Sequence, residues 1–150
     1  DTGTEYRRGD TDIHIYNRRH FQEQLGRHKI HALEAYFHPE GPSGFDFKLC
    51  LEQLNDSITD KASQSLVRAR KKIDVEGEVD LGKKSLFHAI RILDFGVQVA
   101  TEGKIVDYSS VNHVWFAIAE EAEYNWQAYL DRYVPVYKDL QNRFRKVTTT

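Results

Sequence analysis

The segment LGKKSLFHAIRILDFGVQVAT, residues 81–101, has the most regular hydrophobic pattern in the chain. Its apolar side chains recur at intervals of three and four residues, at Leu86, Phe87, Ile90, Leu93 and Val97. This spacing places them on one face of an α-helix that packs against a protein core. Gly103 follows shortly after and is typical of a helix C-terminus. The sequence therefore predicts a long amphipathic helix here, within a mainly helical region.

Three more helices are predicted around this segment, over residues 51–72, 110–122 and 126–146. In the first, one helical stripe contains Leu51, Leu54, Ile58, Ala62, Ser65 and Ala69. In the second, Trp115 is the predicted core anchor. In the third, Pro135 predicts a kink or a restart, because proline has no N–H to donate within a helix.

The first 44 residues have a different pattern. Residues 12–16, DIHIY, alternate between apolar and polar side chains, which predicts a half-buried strand. A short helix is predicted over residues 18–25 and ends at Gly26. Residues 30–37 fit either a strand or a short helix, and we favour a strand near residues 33–37. The sequence thus predicts an α+β fold, with a small strand and helix portion over residues 1–44 and a helical domain over residues 45–150.

Composition limits the class of protein. The chain has 150 residues, of which 40% are hydrophobic and 12% aromatic, as expected for a globular protein. A formal net charge of -2 means that any basic site must be local. The single cysteine, Cys50, excludes a disulfide framework and is predicted to lie in the core. Without an apolar run long enough to span a bilayer or a signal peptide, we expect a cytoplasmic protein and no membrane partner.

Two aspartates, Asp10 and Asp12, flank the start of the predicted strand. In an extended chain, residues two apart point in the same direction, so the two carboxylates would repel each other unless a cation lies between them. Oxygen ligands of this kind suit a hard divalent ion such as Mg²⁺. The alternative is a polar entrance to a strand, and the spacing alone does not separate the two.

Basic residues recur on two consecutive predicted helices. On the strongest helix they are Lys84, His88 and Arg91, and on the preceding helix they are Lys61, Arg68 and Lys72. Each set has near-helical spacing, so each forms one stripe. Such stripes suit a triphosphate or a nucleic-acid backbone, and two of them could converge on one anionic ligand. The alternative is that both are ordinary solvated helix faces.

Three other features leave their roles open. His28 and His31 have no neighbouring cysteine and are not predicted to bind zinc. Glu34 lies in an apolar run and is either a paired structural acid or a site residue. Four aromatic residues near the C-terminus recur at roughly helical spacing, which favours a core position over a homo-oligomer interface; they are Trp126, Tyr129, Tyr133 and Tyr137.

Four segments together resemble the later part of nucleotidyltransferases of the DNA polymerase β superfamily, in particular a phage and bacterial group. The segments are GDTDIHIYNRRHFQEQL, HALEAYFHPE, KASQSLVRARKK and KKSLFHAIRILDFGVQVATEGKIVD. The resemblance covers roughly residues 8–115, and KSLFHAIRIL is its most specific part. It implies that Asp12 is the third catalytic carboxylate, with Asp10 as its companion, and that both bind Mg²⁺.

The resemblance also implies a reaction. In that superfamily, two Mg²⁺ ions align an attacking hydroxyl with the α-phosphate of a nucleotide and neutralise the leaving pyrophosphate. The first motif of the family, a Gly-Ser turn followed by D-x-D, is absent here. The nearest segment, GPSGFDFK, has only Asp46 and follows the strand. We therefore expect a nucleotidyltransferase that uses an NTP and a hydroxyl acceptor, truncated or inactive on its own. The alternative is a non-catalytic module that binds RNA, DNA or a protein through its basic helices.

Overall fold

A computed structural model describes residues 18–149 with their side chains, and residues 4–8 and 11–15 by their backbone. Along these residues the elements are β1 (Thr4–Arg8), β2 (Thr11–Ile15), α1 (Arg18–Gly26), α2 (Ile30–Phe37), α3 (Leu51–Asp74), α4 (Val79–Glu102), α5 (Asn112–Glu120) and α6 (Trp126–Thr148). The two strands pair antiparallel with each other, and Arg7 lies opposite Asp12.

The predicted α+β fold is wrong, because the regular structure of residues 18–149 is entirely helical and forms a bundle. The predicted strand near residues 33–37 belongs to α2 instead. Ile30 and Leu33 are buried three positions apart on one helical face, and Ala and Leu are strong helix formers. Residues 33–37 therefore add no strand to the two-stranded sheet of β1 and β2. The division of the chain at residue 44 stays a prediction.

The other predicted helices are confirmed as α1, α3, α4, α5 and α6. The structure extends α3 to Asp74 and α4 to Glu102, and it continues α6 through Pro135 without a restart. Pro135 is exposed, so water can reach the carbonyl group that its missing N–H leaves without a partner. In the described part of the chain, no helix is both long enough and apolar enough to cross a membrane.

Helix α4 lies at the centre of the bundle and contacts α3, α5 and α6. Its buried apolar residues include Leu86, Ala89, Ile90, Ile92, Leu93, Phe95, Val97 and Val99. Two glycines let the neighbouring helices approach closely. A Cβ at Gly82 would collide with the Ile73 side chain of α3, and a Cβ at Gly96 would lie 2.9 Å from Ile58 of α3 and 2.9 Å from the Phe144 ring of α6.

The ends of α6 and α4 are held by local hydrogen bonds. The Asn125 side chain accepts a bond from the Ala128 N–H at 3.2 Å and caps α6. Gly103 closes α4 with a left-handed φ of 77°, as predicted. The aromatic stripe of α6 is buried, so its predicted core role is confirmed: Trp126, Tyr129, Tyr133 and Tyr137.

The turn between α1 and α2 is built around the buried His28, which has a φ of 58°. Its ring contacts the Gly26 carbonyl at 3.0 Å and accepts the Cys50 N–H at 3.0 Å. Burial lowers the pKa of His28, because the charged imidazolium would lose its hydration. The Cys50 side chain is exposed, so its predicted core position is wrong. Cys50 precedes the first residue of α3 and therefore lies outside the apolar stripe of that helix.

Candidate functional site

The basic stripes of α3 and α4 face each other across one depression, which we call the basic groove. Its volume is about 330 Å³, and its lining residues are Lys61, Ser65, Arg68, Leu81, Lys84, Ser85 and His88. The stripes meet because Ala62 and Ala69 of α3 are buried, which turns the adjacent Lys61 and Arg68 to the edge of the helix pair. The predicted convergence of the two helices therefore occurs at these positions.

Three exposed cations dominate this groove. Lys61, Arg68 and Lys84 are exposed, and none has an ion-pair partner among the residues that the structure describes. In a chain with a formal net charge of -2, three such groups around one small depression make a locally positive surface. The groove can therefore attract an anionic group through point charges and N–H donors.

His88 lies between the basic groove and a second depression. The second depression has a volume of about 330 Å³ and is lined by Lys84, Phe87, His88, Arg91 and Trp115. Partial burial lowers the pKa of His88, and the charges of Arg91 and Lys61 lower it further. An anion beside the ring would oppose this lowering and favour the protonated imidazolium.

Arg91 is engaged in a different way from the three exposed cations. Its Nη1 lies 3.1 Å from Glu34 Oε1, and its guanidinium lies 4.4 Å from the centre of the Phe95 ring. Burial raises the pKa of Glu34, and the charge of Arg91 opposes that rise. The Tyr108 hydroxyl donates to the Glu34 carbonyl at 2.7 Å. Glu34 is therefore a paired acid that joins α2 to α4.

Lys72 lies at the end of α3 and is held by two acids. Its Nζ is 3.4 Å from Glu76 and 3.6 Å from Glu78. It borders a longer depression of about 590 Å³ that follows α3 and also contains Lys61, Arg68 and Lys71. Lys72 is therefore close to the groove along the helix, but part of its charge is already neutralised.

Lys61 also borders a depression between α3 and the α1–α2 region. This depression has a volume of about 300 Å³, and its other lining residues include Lys29, His31, Ser57 and Asp60. Among the residues that the structure describes, no three His, Cys, Asp or Glu side chains are grouped as metal ligands. Both ring nitrogens of His28 have backbone partners, the Gly26 carbonyl and the Cys50 N–H.

The predicted carboxylate pair lies outside the region whose side chains are known. Asp10 is not among the described residues, and Asp12 is described only by its backbone, in β2 opposite Arg7. The structure therefore does not relate either carboxylate to the basic groove. Their assignment to Mg²⁺ stays a prediction.

Sequence reasoning assigned two residues of the second depression to the core. Phe87 and Trp115 are only partly buried, and their ring centres lie 5.5 Å apart at an interplanar angle of 47°. Phe87 could have been found, because it follows Lys84 by three positions and precedes Arg91 by four, on the same helical stripe. Trp115 lies on another helix, and no spacing within α4 reveals it.

Comparison of the chain with protein-family models, with curated proteins and with solved structures gave no match. The resemblance to nucleotidyltransferases therefore depends on the quoted segments.

Proposed function

We propose that the chain is the nucleotide-binding part of a nucleotidyltransferase and that the basic groove holds the phosphates of an NTP. The observation that carries this proposal is the shared lining of the groove. Lys61 and Arg68 come from α3, and Lys84 and His88 come from α4. Like charges repel, so three exposed cations around one depression are unfavourable unless an anion neutralises them.

A triphosphate fits the charge distribution of the groove. Lysine binds phosphate as a point charge, whereas the planar guanidinium of arginine can donate two parallel hydrogen bonds to it. Lys61, Arg68 and Lys84 supply both kinds of contact without breaking an ion pair within the described residues. We assign Arg91 and Lys72 to the margins of the site, because each already has an acidic partner.

Catalysis would need groups that lie outside the groove. From the resemblance, Asp10 and Asp12 would hold Mg²⁺, which would supply positive charge to align the attacking hydroxyl and neutralise the leaving group. The first acidic motif of the family is absent from this sequence. We therefore expect nucleotide binding by the chain and little transfer activity. A cytoplasmic location remains part of this proposal and is supported by the single, exposed cysteine.

Calorimetry with inorganic tripolyphosphate tests the groove directly. We expect the wild-type chain to bind it, and the double variant Lys61→Ala/Lys84→Ala to bind about 10- to 100-fold more weakly, because two charge-assisted contacts are lost. The matched control is Lys138→Ala/Lys146→Ala, which removes two exposed lysines of α6 that do not line the groove. Equal affinities in all three proteins would contradict the proposal.

A second candidate function is nucleic-acid binding without chemistry. The observation that favours it is the depression of about 590 Å³ along α3, which continues from Lys61 past Arg68 to Lys71 and Lys72. A backbone of several phosphates could follow this line. Such binding would weaken steeply as the salt concentration rises and would need no Mg²⁺. The double variant Arg68→Ala/Lys72→Ala should bind nucleic acid more weakly than wild type. Insensitivity to salt and to both substitutions would exclude it.

A further inference from the structure

Helices α4 and α5 together present an aromatic pair beside the basic groove. Val114 and Ile118 are buried and anchor α5 to the bundle, whereas Trp115 is only partly buried. The Trp115 ring packs on Phe87 of α4 with their centres 5.5 Å apart. We call this pair the aromatic shelf. Part of the Trp115 ring therefore faces a depression rather than the core.

The shelf is held in place by a buried lysine. Lys83 is 8% exposed, and its Nζ donates to the Glu121 carbonyl at 2.6 Å and to the Ala119 carbonyl at 3.3 Å. These carbonyls lie at the C-terminal end of α5, where carbonyl groups lack helical partners and a cation is favoured. The bond ties α5 to α4, so Trp115 keeps its position relative to the groove.

The shelf and the basic groove are continuous. Lys84 and His88 line both the groove and the depression that contains Phe87, Arg91 and Trp115. One side of this surface therefore carries the exposed cations, and the other side carries the two aromatic rings and Arg91, which is paired with Glu34. A nucleotide has the same division, since its phosphates are charged and its base is a flat aromatic ring.

We propose that the aromatic shelf binds the base of the nucleotide whose phosphates occupy the basic groove, with the base stacked on Trp115. This inference rests on the proposed function and adds a binding site for the base, which is the group that distinguishes a nucleotide from inorganic polyphosphate. Stacking on an aromatic side chain tolerates every base, because each base has a π-face. The shelf therefore favours nucleoside triphosphates as a class over free polyphosphate.

The test compares ATP with inorganic tripolyphosphate by calorimetry at one Mg²⁺ concentration. We expect wild type to bind ATP about 10-fold more tightly than tripolyphosphate, and Trp115→Ala to lose that difference while keeping its affinity for tripolyphosphate. Trp115→Phe keeps an aromatic ring, so it should retain part of the preference for ATP. This variant shows whether a loss in Trp115→Ala comes from the missing ring or from altered packing. Phe116→Ala is the matched control, because Phe116 is the next residue of α5, is 64% exposed and does not line the depression.

Fluorescence gives an independent signal from the unaltered protein. Trp126 is buried in the core, so quenching by a stacked base should come from Trp115. We expect ATP to quench the emission and tripolyphosphate to leave it unchanged.

The outcomes separate the two proposals. If tripolyphosphate binds and ATP binds no more tightly, in wild type and in Trp115→Ala alike, the shelf does not bind the base and the phosphate site stands. If neither compound binds to wild type, the proposed function fails and the base site fails with it.

Discussion

The two halves of α4 differ in how completely their side chains are buried. In residues 92–102, the covered half, buried side chains face several directions, and the Phe144 ring of α6 lies against Gly96. In residues 79–91, one stripe stays open and contains Lys84, which is exposed, and the half-buried His88 and Arg91. The candidate site therefore lies in the half of α4 where one stripe of charged side chains stays open to solvent. Stability and binding should therefore separate along α4.

The largest expected effect is a loss of stability from the covered half. Leu93 is 1% exposed, so Leu93→Ala would leave a cavity and should lower the free energy of unfolding by about 2–5 kcal/mol. Lys84→Ala in the open half should change it by no more than about 0.5 kcal/mol. Urea denaturation measures both variants. Equal losses would break the distinction between the two halves.

A smaller effect is expected at Gly96, where α4 contacts both α3 and α6. Gly96→Ala places a Cβ 2.9 Å from Ile58 and from Phe144, and this overpacking outweighs the gain in helix propensity. The net loss should be about 1–2 kcal/mol in the free energy of unfolding. Gly26→Ala is the control, because a Cβ there meets no atom within 4 Å. A stabilised Gly96→Ala variant would show that the covered half is loosely packed.

The smallest expected effect concerns binding in the open half. Glu34→Gln removes the acid that pairs with Arg91 and should tighten binding of tripolyphosphate. The pair is partly exposed, so the gain should be about 0.2–1 kcal/mol, or up to about fivefold in affinity. Glu40→Gln, which changes an exposed acid beyond the end of α2, is the matched control in the same calorimetric assay. Weaker binding in Glu34→Gln would mean that Glu34 orients Arg91 for the ligand.

The long helices were predictable from the sequence, and the short segments were not. The ends of α3, α4 and α6 fall within two residues of the predicted ends, because each helix repeats its apolar pattern over several turns. Residues 30–37 span barely two turns, and their aromatic residues also suit a strand. Ile30 and Leu33 are both buried against the bundle, and this burial favours a helix over a strand. The strand predicted near residues 33–37 is therefore wrong.

The candidate site was predictable only within each helix. Spacing of three and four residues placed Lys84, His88 and Arg91 on one stripe, and the structure brings that stripe to Lys61 and Arg68. The Glu34–Arg91 pair joins residues 57 positions apart, so no local pattern could reveal it. Trp115 was likewise assigned to the core, because an isolated tryptophan in a helix is usually buried.

The glycine contacts of α4 have a consequence for affinity. At Gly82 the backbone of α4 approaches Ile73 of α3 so closely that no side chain fits between them, and this contact lies within one turn of Lys84. The separation of the two helices near the groove is therefore set by the α4 main chain against the buried Ile73 side chain and the Ala69 carbonyl of α3. A ligand in this groove would therefore order the long side chains of Lys61, Arg68 and Lys84, but it would not need to order the main chain of either helix.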